Sequence, residues 1–171
     1  MLNKALDIAY KAHWGQTDKA GTPYKLHPTR VALHCQTEDE KIVALLHDVV
    51  EDTSMTLEEL KAQGFSNEVL AALKCLTQIE DEDYQTFIQR VATNPLAVKV
   101  KIQDLKDNMD LSRLDGKPHW KMETYKKALD YLEQCSNKKV HKMYLQPIIT
   151  QYFIDNKSEI WLLFLIAHSK R

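Results

Sequence analysis

Apolar residues recur at three- and four-residue intervals along most of the chain, the spacing that gathers them on one face of an α-helix. Leu2, Ala5, Leu6, Ala9 and Ala12 mark a first stripe, and Gly15 stands where that helix should stop. Residues 15–26 place Gly15, Gly21 and Pro23 among polar groups and read as a loop. Pro28 suits the first turn of a second helix reaching about Cys35. Thr37-Glu38-Asp39-Glu40 forms a capping box, in which Thr37 accepts the Glu40 amide and Glu40 reaches back. The helix it opens, about 38–52, carries Ile42, Val43, Leu45, Leu46, Val49 and Val50. Apolar around much of its circumference, it should be central and buried.

A second capping box, Thr56 to Glu59, starts a short helix ending at Gly64, and Ser66 caps another with Val69, Leu70, Leu73 and Leu76. Glu80 to Asp83 reads as a solvated loop and Tyr84 to Thr93 as a helix. Pro95 opens a longer helix through about Arg113. Within it Val98, Val100 and Ile102 alternate and are β-branched, so a short strand is the alternative. Asp115-Gly116-Lys117-Pro118 breaks the chain before a helix over about 119–135. Residues 1–135 are thus expected to form the main domain. Residues 136–171 read as a helical C-terminal extension, beginning with a basic linker and ending in the apolar run Ile160 to Ala167.

Composition narrows the function classes. Four glycines and five prolines in 171 residues leave little turn chemistry for a many-stranded protein, so the fold class expected is all-α. A net charge of −1 gives no global basic field for a nucleic-acid polymer or an anionic membrane. Cys35, Cys75 and Cys135 are odd in number and never form a C-x-x-C, which suits reduced thiols in a cytoplasm. No signal peptide is read at Met1 to Asp7, and Ile160 to Ala167 is far shorter than the ~20 residues of a membrane span. A cytoplasmic protein is expected. Self-association through Trp161 to Ile166, giving a homo-oligomer, is one way to bury that run.

The central helix concentrates the chemistry. His47, Asp48, Glu51 and Asp52 fall within two turns, with four-residue steps that let all of them face one cleft. Three carboxylates and an imidazole in an apolar helix are costly to bury without a cation. The mixed donor set suits Mn²⁺, Fe²⁺ or Zn²⁺ better than Ca²⁺. On spacing alone, a metal site and a charged helix end both remain open. His27 before Pro28 and Asp104 in a polar stretch are further donors, each of which also reads as a packed ring or a solvated carboxylate. His13, His34, His119, His141 and His168 have no acidic partner at ligand spacing.

From Ala9 to about Arg113 the chain resembles the HD hydrolase domain of the RelA/SpoT alarmone enzymes and their stand-alone small relatives. The matching pieces are His13-Trp14-Gly15-Gln16, Lys19-Ala20-Gly21-Thr22-Pro23-Tyr24 and His27-Pro28. They continue with Ala44-Leu45-Leu46-His47-Asp48-Val49-Val50-Glu51-Asp52-Thr53 and Lys101-Ile102-Gln103-Asp104 with Asn108-Met109. No stretch resembles the synthetase or regulatory domains of the long members.

The resemblance implies a compact multi-helix HD-domain bundle and a metal-dependent phosphohydrolase acting on a nucleotide-like phosphate ester or anhydride. Guanosine 3′-pyrophosphates are the family's substrates. The implied metal ligands are His27, His47, Asp48 and Asp104, with Mn²⁺ the usual ion. Glu51 and Asp52 would position or activate the water, and Lys19, Asn108 and Tyr125 would meet the small nucleotide. Arg113 reads as a helix-end charge. Two departures bear on substrate: Asp18 stands where the family usually has arginine against the guanine, and Asp107 to Asp110 is more acidic than its usual His-Asn-Met-Arg. Both should disfavour a many-phosphate guanosine substrate through charge repulsion. The alternatives are hydrolysis of another nucleotide, such as a nucleoside monophosphate, and a nucleotide-sensing module without turnover. Retention of both Glu51 and Asp52 argues against sensing, which needs no water-activating pair.

Overall fold

The computed structural model describes residues 1–18, 21–113 and 120–140, with the side chains of 113 and 138–140 set aside. The chain divides into two compact units, Met1–Glu133 and Gln134–Arg171. Among the described residues there are eight α-helices and no strand. They are α1 (Leu2–Ala12), α2 (Leu26–Leu33), α3 (Glu38–Asp52), α4 (Leu57–Ala62), α5 (Asn67–Leu76), α6 (Tyr84–Thr93), α7 (Pro95–Asn108) and α8 (Met122–Val140), with a 3₁₀ turn at Leu111–Arg113. The all-α expectation holds. None of these helices is long and apolar enough to cross a membrane.

Both capping boxes form as their sequences require. Thr37 accepts from the Glu40 amide and Thr56 from the Glu59 amide, with both glutamates bonding back. Ser66, Asp83 and Asn94 cap α5, α6 and α7 through their side chains. Gly64, at φ 91°, ends α4 in the left-handed region that other residues reach only with strain.

Helix α3 lies at the centre, packed against α1, α2, α5 and α7. Ile42, Val43, Leu45, Leu46 and Val49 are buried there. Side chains of this size each contribute about 1.5–3 kcal/mol when fully withdrawn from water. Helix α7 packs on α2, α3, α5 and α6, and this resolves the strand alternative. A helix covered on several sides needs apolar residues around its axis, and Val98, Val100 and Ile102 are all buried in it. It ends at Asn108, with Met109 as C-cap, five residues before the expected Arg113. Helix α8 runs past the expected end at 135, because Ser136-Asn137-Lys138-Lys139 holds no residue that breaks a helix already begun. Residues 141–171, with His141, His168 and the run 161–166, lie outside the described residues, as does His119.

Candidate metal centre and cleft

Helices α2, α3, α5, α6, α7 and α8 and the loop ahead of α2 all contribute to a cleft of about 450 Å³. The loop preceding α2 folds back on itself: the Asp18 amide donates to the Thr22 carbonyl (2.8 Å), the Tyr24 amide to the Gln16 carbonyl (2.9 Å), and Gly21 takes φ 78°. This brings Asp18 and Tyr24 to the cleft wall, followed at once by His27 on α2. Helix α3 contributes His47, Asp48, Glu51 and Asp52, and α7 contributes Lys101, Asp104 and Asn108.

His27, His47 and Asp104 are buried and present one donor atom each within 4.8 Å of one another. Asp104 Oδ1 lies 3.1 Å from His27 Nε2 and 3.7 Å from His47 Nε2. Asp48 completes the group: its Oδ1 is 3.2 Å from His47 Nε2 and its Oδ2 is 3.6 Å from His27 Nε2. The imidazoles are held in matching orientation. His47 Nδ1–H donates to the Ala44 carbonyl (2.7 Å), and His27 Nδ1–H donates to Asp107 Oδ2 (2.6 Å). Each ring therefore turns Nε2 toward the carboxylates. His47 Nε2 is buried with no hydrogen-bond partner among the described residues. An orphaned ring nitrogen facing two carboxylates and a second imidazole is a donor set that could hold a divalent metal ion.

The electrostatics agree. Burial disfavours the charged form of His47, yet Asp48 and Asp104 outweigh it and raise the pKa of the ring. Burial likewise opposes protonation of His27, but Asp104 and Asp107 lift it to about 9. Burial also opposes ionisation of Asp104, but Lys101 and the two imidazoles hold it well below the usual carboxylate range. A place that binds protons this avidly also attracts a cation.

Glu51 and Asp52 stand at the cleft wall, and crowding by protein is the main cause raising both pKa values, with Asp48 adding to it. Of the residues expected to meet substrate, Asn108 and Tyr125 line the cleft, and Asn108 also donates to Asp104 Oδ1 (2.7 Å). Lys19 and the side chain of Arg113 lie outside the described residues.

Several residues at the site carry no assignment in the sequence reading. Tyr24 donates its hydroxyl to Asp48 Oδ2 (2.8 Å). Lys101 lies 2.8 Å from Asp104 Oδ2. His13 is buried, donates through Nδ1 to Gln16 Oε1 (2.8 Å) and packs 5.0 Å from the Tyr24 ring. Their signal was membership of the family motifs: Lys101 shares one with Asp104, Tyr24 one with Lys19, and His13 opens His13-Trp14-Gly15-Gln16. The acidic reading of Asp107 needs correction. Its carboxylate is buried behind His27 and gripped by Arg30 Nε (2.8 Å) and Nη2 (3.1 Å), so it presents no free negative charge to a substrate. Asp18 does line the cleft, but its Oδ1 accepts the Thr22 amide (2.9 Å) and so also closes the loop.

No family model matches the chain. It is 32% identical over 120 residues to the guanosine-3′,5′-bis(diphosphate) 3′-pyrophosphohydrolase of Aquifex aeolicus (strain VF5), covering 63% of this chain and 17% of that one. With the protein of the same name from Borreliella burgdorferi (strain ATCC 35210 / DSM 4680 / CIP 102532 / B31) it shares 40% over 82 residues, 46% of this chain and 12% of the other. The chain thus spans less than a fifth of the length of these relatives. Its fold matches a solved structure described as a metazoan ortholog of SpoT that hydrolyses ppGpp, with a TM-score of 0.62, 23% identity, and coverage of 84% of this chain and 96% of that one. In sequence the chain is similar to a part of these long bacterial pyrophosphohydrolases, and its fold is that of the solved hydrolase.

Proposed function

We propose that the chain is a metal-dependent phosphohydrolase that cleaves a phosphate ester or diphosphate bond on a small nucleotide-like molecule, with Mn²⁺ as its ion. The observation that carries this reading is the convergence of His27, His47 and Asp104, with Asp48 beside them, in a cleft also walled by Glu51 and Asp52. When bound there, a divalent ion supplies charge neutralisation at the phosphoryl group and a more acidic water. The remaining work falls to the protein. Glu51 and Asp52, made more basic by their surroundings, are suited to accept a proton from the attacking water. Tyr24 and Lys101 fix the carboxylates of Asp48 and Asp104, so the donor set is held before substrate arrives. Asn108 and Tyr125, which line the same cleft, are the substrate contacts, and Lys19 is a third by motif. The relatives' names make guanosine 3′-diphosphates the first compounds to try.

The test is a screen for phosphate and pyrophosphate release across nucleotides with Mn²⁺ present. Release from at least one nucleotide, abolished by a chelator and restored by Mn²⁺, is the expected result. Tight nucleotide binding with no release from any compound would replace this reading with a sensing module.

A further inference from the structure

The cleft has an aromatic lining built from Tyr84 and Phe87 of α6 and Tyr125 of α8, with Lys101 of α7 among the same lining residues. The ring centroid of Tyr84 lies 6.0 Å from that of Phe87 and 6.1 Å from that of Tyr125. Lys101 Nζ sits 5.1 Å from the Phe87 centroid, so the ammonium and the Tyr84 ring pack on the same phenyl group. Lys101 also ties this lining to the metal cluster. It lies 2.8 Å from Asp104 Oδ2, while the other oxygen of that carboxylate faces His27 Nε2.

The Tyr84 hydroxyl is buried and has no hydrogen-bond partner among the described residues. Such groups are rare because leaving them unpaired is costly, and one in a cleft wall is most simply satisfied by a ligand. Tyr84 lines the same cleft as Lys101 and Asp104, and the charges of both act on its hydroxyl. Burial pushes its pKa up to about 12, so it remains a donor at neutral pH. An ammonium has three N–H groups. Asp104 engages one and the Phe87 face attracts the charge without using an acceptor, leaving donor capacity at the cleft.

We propose that Tyr84 and Lys101 form an anion subsite that holds a non-bridging phosphoryl oxygen next to the metal cluster, with Tyr84 as a specificity-determining residue. The identity of the ligand rests on the phosphohydrolase reading. The donor pair does not, since a hydroxyl and an ammonium on one apolar ring favour an anion whatever its later fate. If Lys101 served only as counter-ion to Asp104, the Tyr84 hydroxyl would have no role.

The experiment loads the chain with one equivalent of Mn²⁺ and titrates it calorimetrically with methylenediphosphonate, a diphosphate analogue that hydrolysis cannot consume. Tyr84→Phe keeps the ring and its packing and removes only the hydroxyl. It should weaken analogue binding by about tenfold, the loss expected for one hydrogen bond to a charged group, with Mn²⁺ stoichiometry and melting temperature unchanged. Equal affinity in wild type and Tyr84→Phe overturns the subsite, even in a chain that hydrolyses nucleotides. Failure of the wild type to bind the analogue overturns it as well. Weakened binding in a chain that hydrolyses no nucleotide supports the subsite and removes the phosphohydrolase reading instead.

Discussion

Asp107 Oδ2 lies 2.6 Å from Nδ1 of His27, and the two side chains join helices far apart in sequence. Arg30 grips the same carboxylate with two nitrogens, so carboxylate and imidazole are both held in place. A carboxylate behind a metal-binding histidine fixes its tautomer and strengthens it as a donor, and loss of such a partner costs about 10–100-fold in metal affinity. Asp107→Asn should therefore weaken Mn²⁺ binding within that range while the far-ultraviolet circular dichroism stays that of the wild type. Calorimetric titration with Mn²⁺ checks this. Unchanged affinity would reduce the contact to a clamp between α2 and α7.

Ion binding and proton transfer should separate by mutation. Glu51→Gln and Asp52→Asn preserve shape and remove the basic group, so bound metal should persist while turnover falls by roughly 10²–10⁴-fold. Asp48→Ala removes a donor of the cluster and should lower both. Elemental analysis alongside initial rates distinguishes the two classes. Full metal occupancy in Asp48→Ala would remove that residue from the donor set.

Asp18 makes substrate choice testable. The residue lines the cleft, and a carboxylate there would oppose a many-phosphate ligand by about 1 kcal/mol at a partly exposed site. Wild-type kcat/KM on ppGpp is expected below ~10⁴ M⁻¹s⁻¹, the lower end for a working enzyme. Asp18→Arg should raise it. Asp18→Asn is the control, since it removes the charge while retaining an oxygen for the Thr22 amide. A wild-type value above that threshold would make guanosine 3′-diphosphates good substrates and leave Asp18 as a loop closure alone.

Stability should depend on pH through Glu40. Burial opposes its ionisation, but Lys99 (2.7 Å) and the amides of Gln36 and Thr37 outweigh it and lower the pKa. A depressed folded-state value means the stabilisation is present above the ordinary glutamate pKa and is lost as pH falls through the folded one. Glu40→Gln keeps an oxygen for the cap and removes the charge facing Lys99, so it should cost about 1 kcal/mol at pH 7, and the gap should shrink below about pH 4. Urea unfolding of both proteins at the two pH values measures it.

What the sequence disclosed follows from the range of each interaction. Thr37 and Glu40 meet within one helical turn, so their capping box could be read directly, as could the shared face of His47, Asp48, Glu51 and Asp52. Gathering His27 and Asp104 with them was legible only through family resemblance, because 77 residues separate the two. The meaning of Asp107 was hidden for the same reason. A carboxylate in a polar run looks like exposed charge until Arg30, on another helix, is seen to neutralise it. The β-branched alternation in α7 misled in the opposite direction, since a helix wrapped on several sides shows no single apolar stripe. Tyr84 carried no signal at all: a buried hydroxyl without a partner is a property of packing, not of spacing.

Helix α3 is acidic at both ends, and the two ends have opposite effects. Glu38, Asp39 and Glu40 sit at its N-terminus, where the exposed amides and the helix dipole welcome negative charge. Glu51 and Asp52 sit at its C-terminus, where the dipole is already negative and no basic residue occupies the last turn. One end anchors the fold and the other opposes it. The proposed activity would therefore draw on stability supplied elsewhere in the bundle, and selection for thermostability alone would tend to neutralise the last turn of α3 first, at the expense of the proposed proton acceptors.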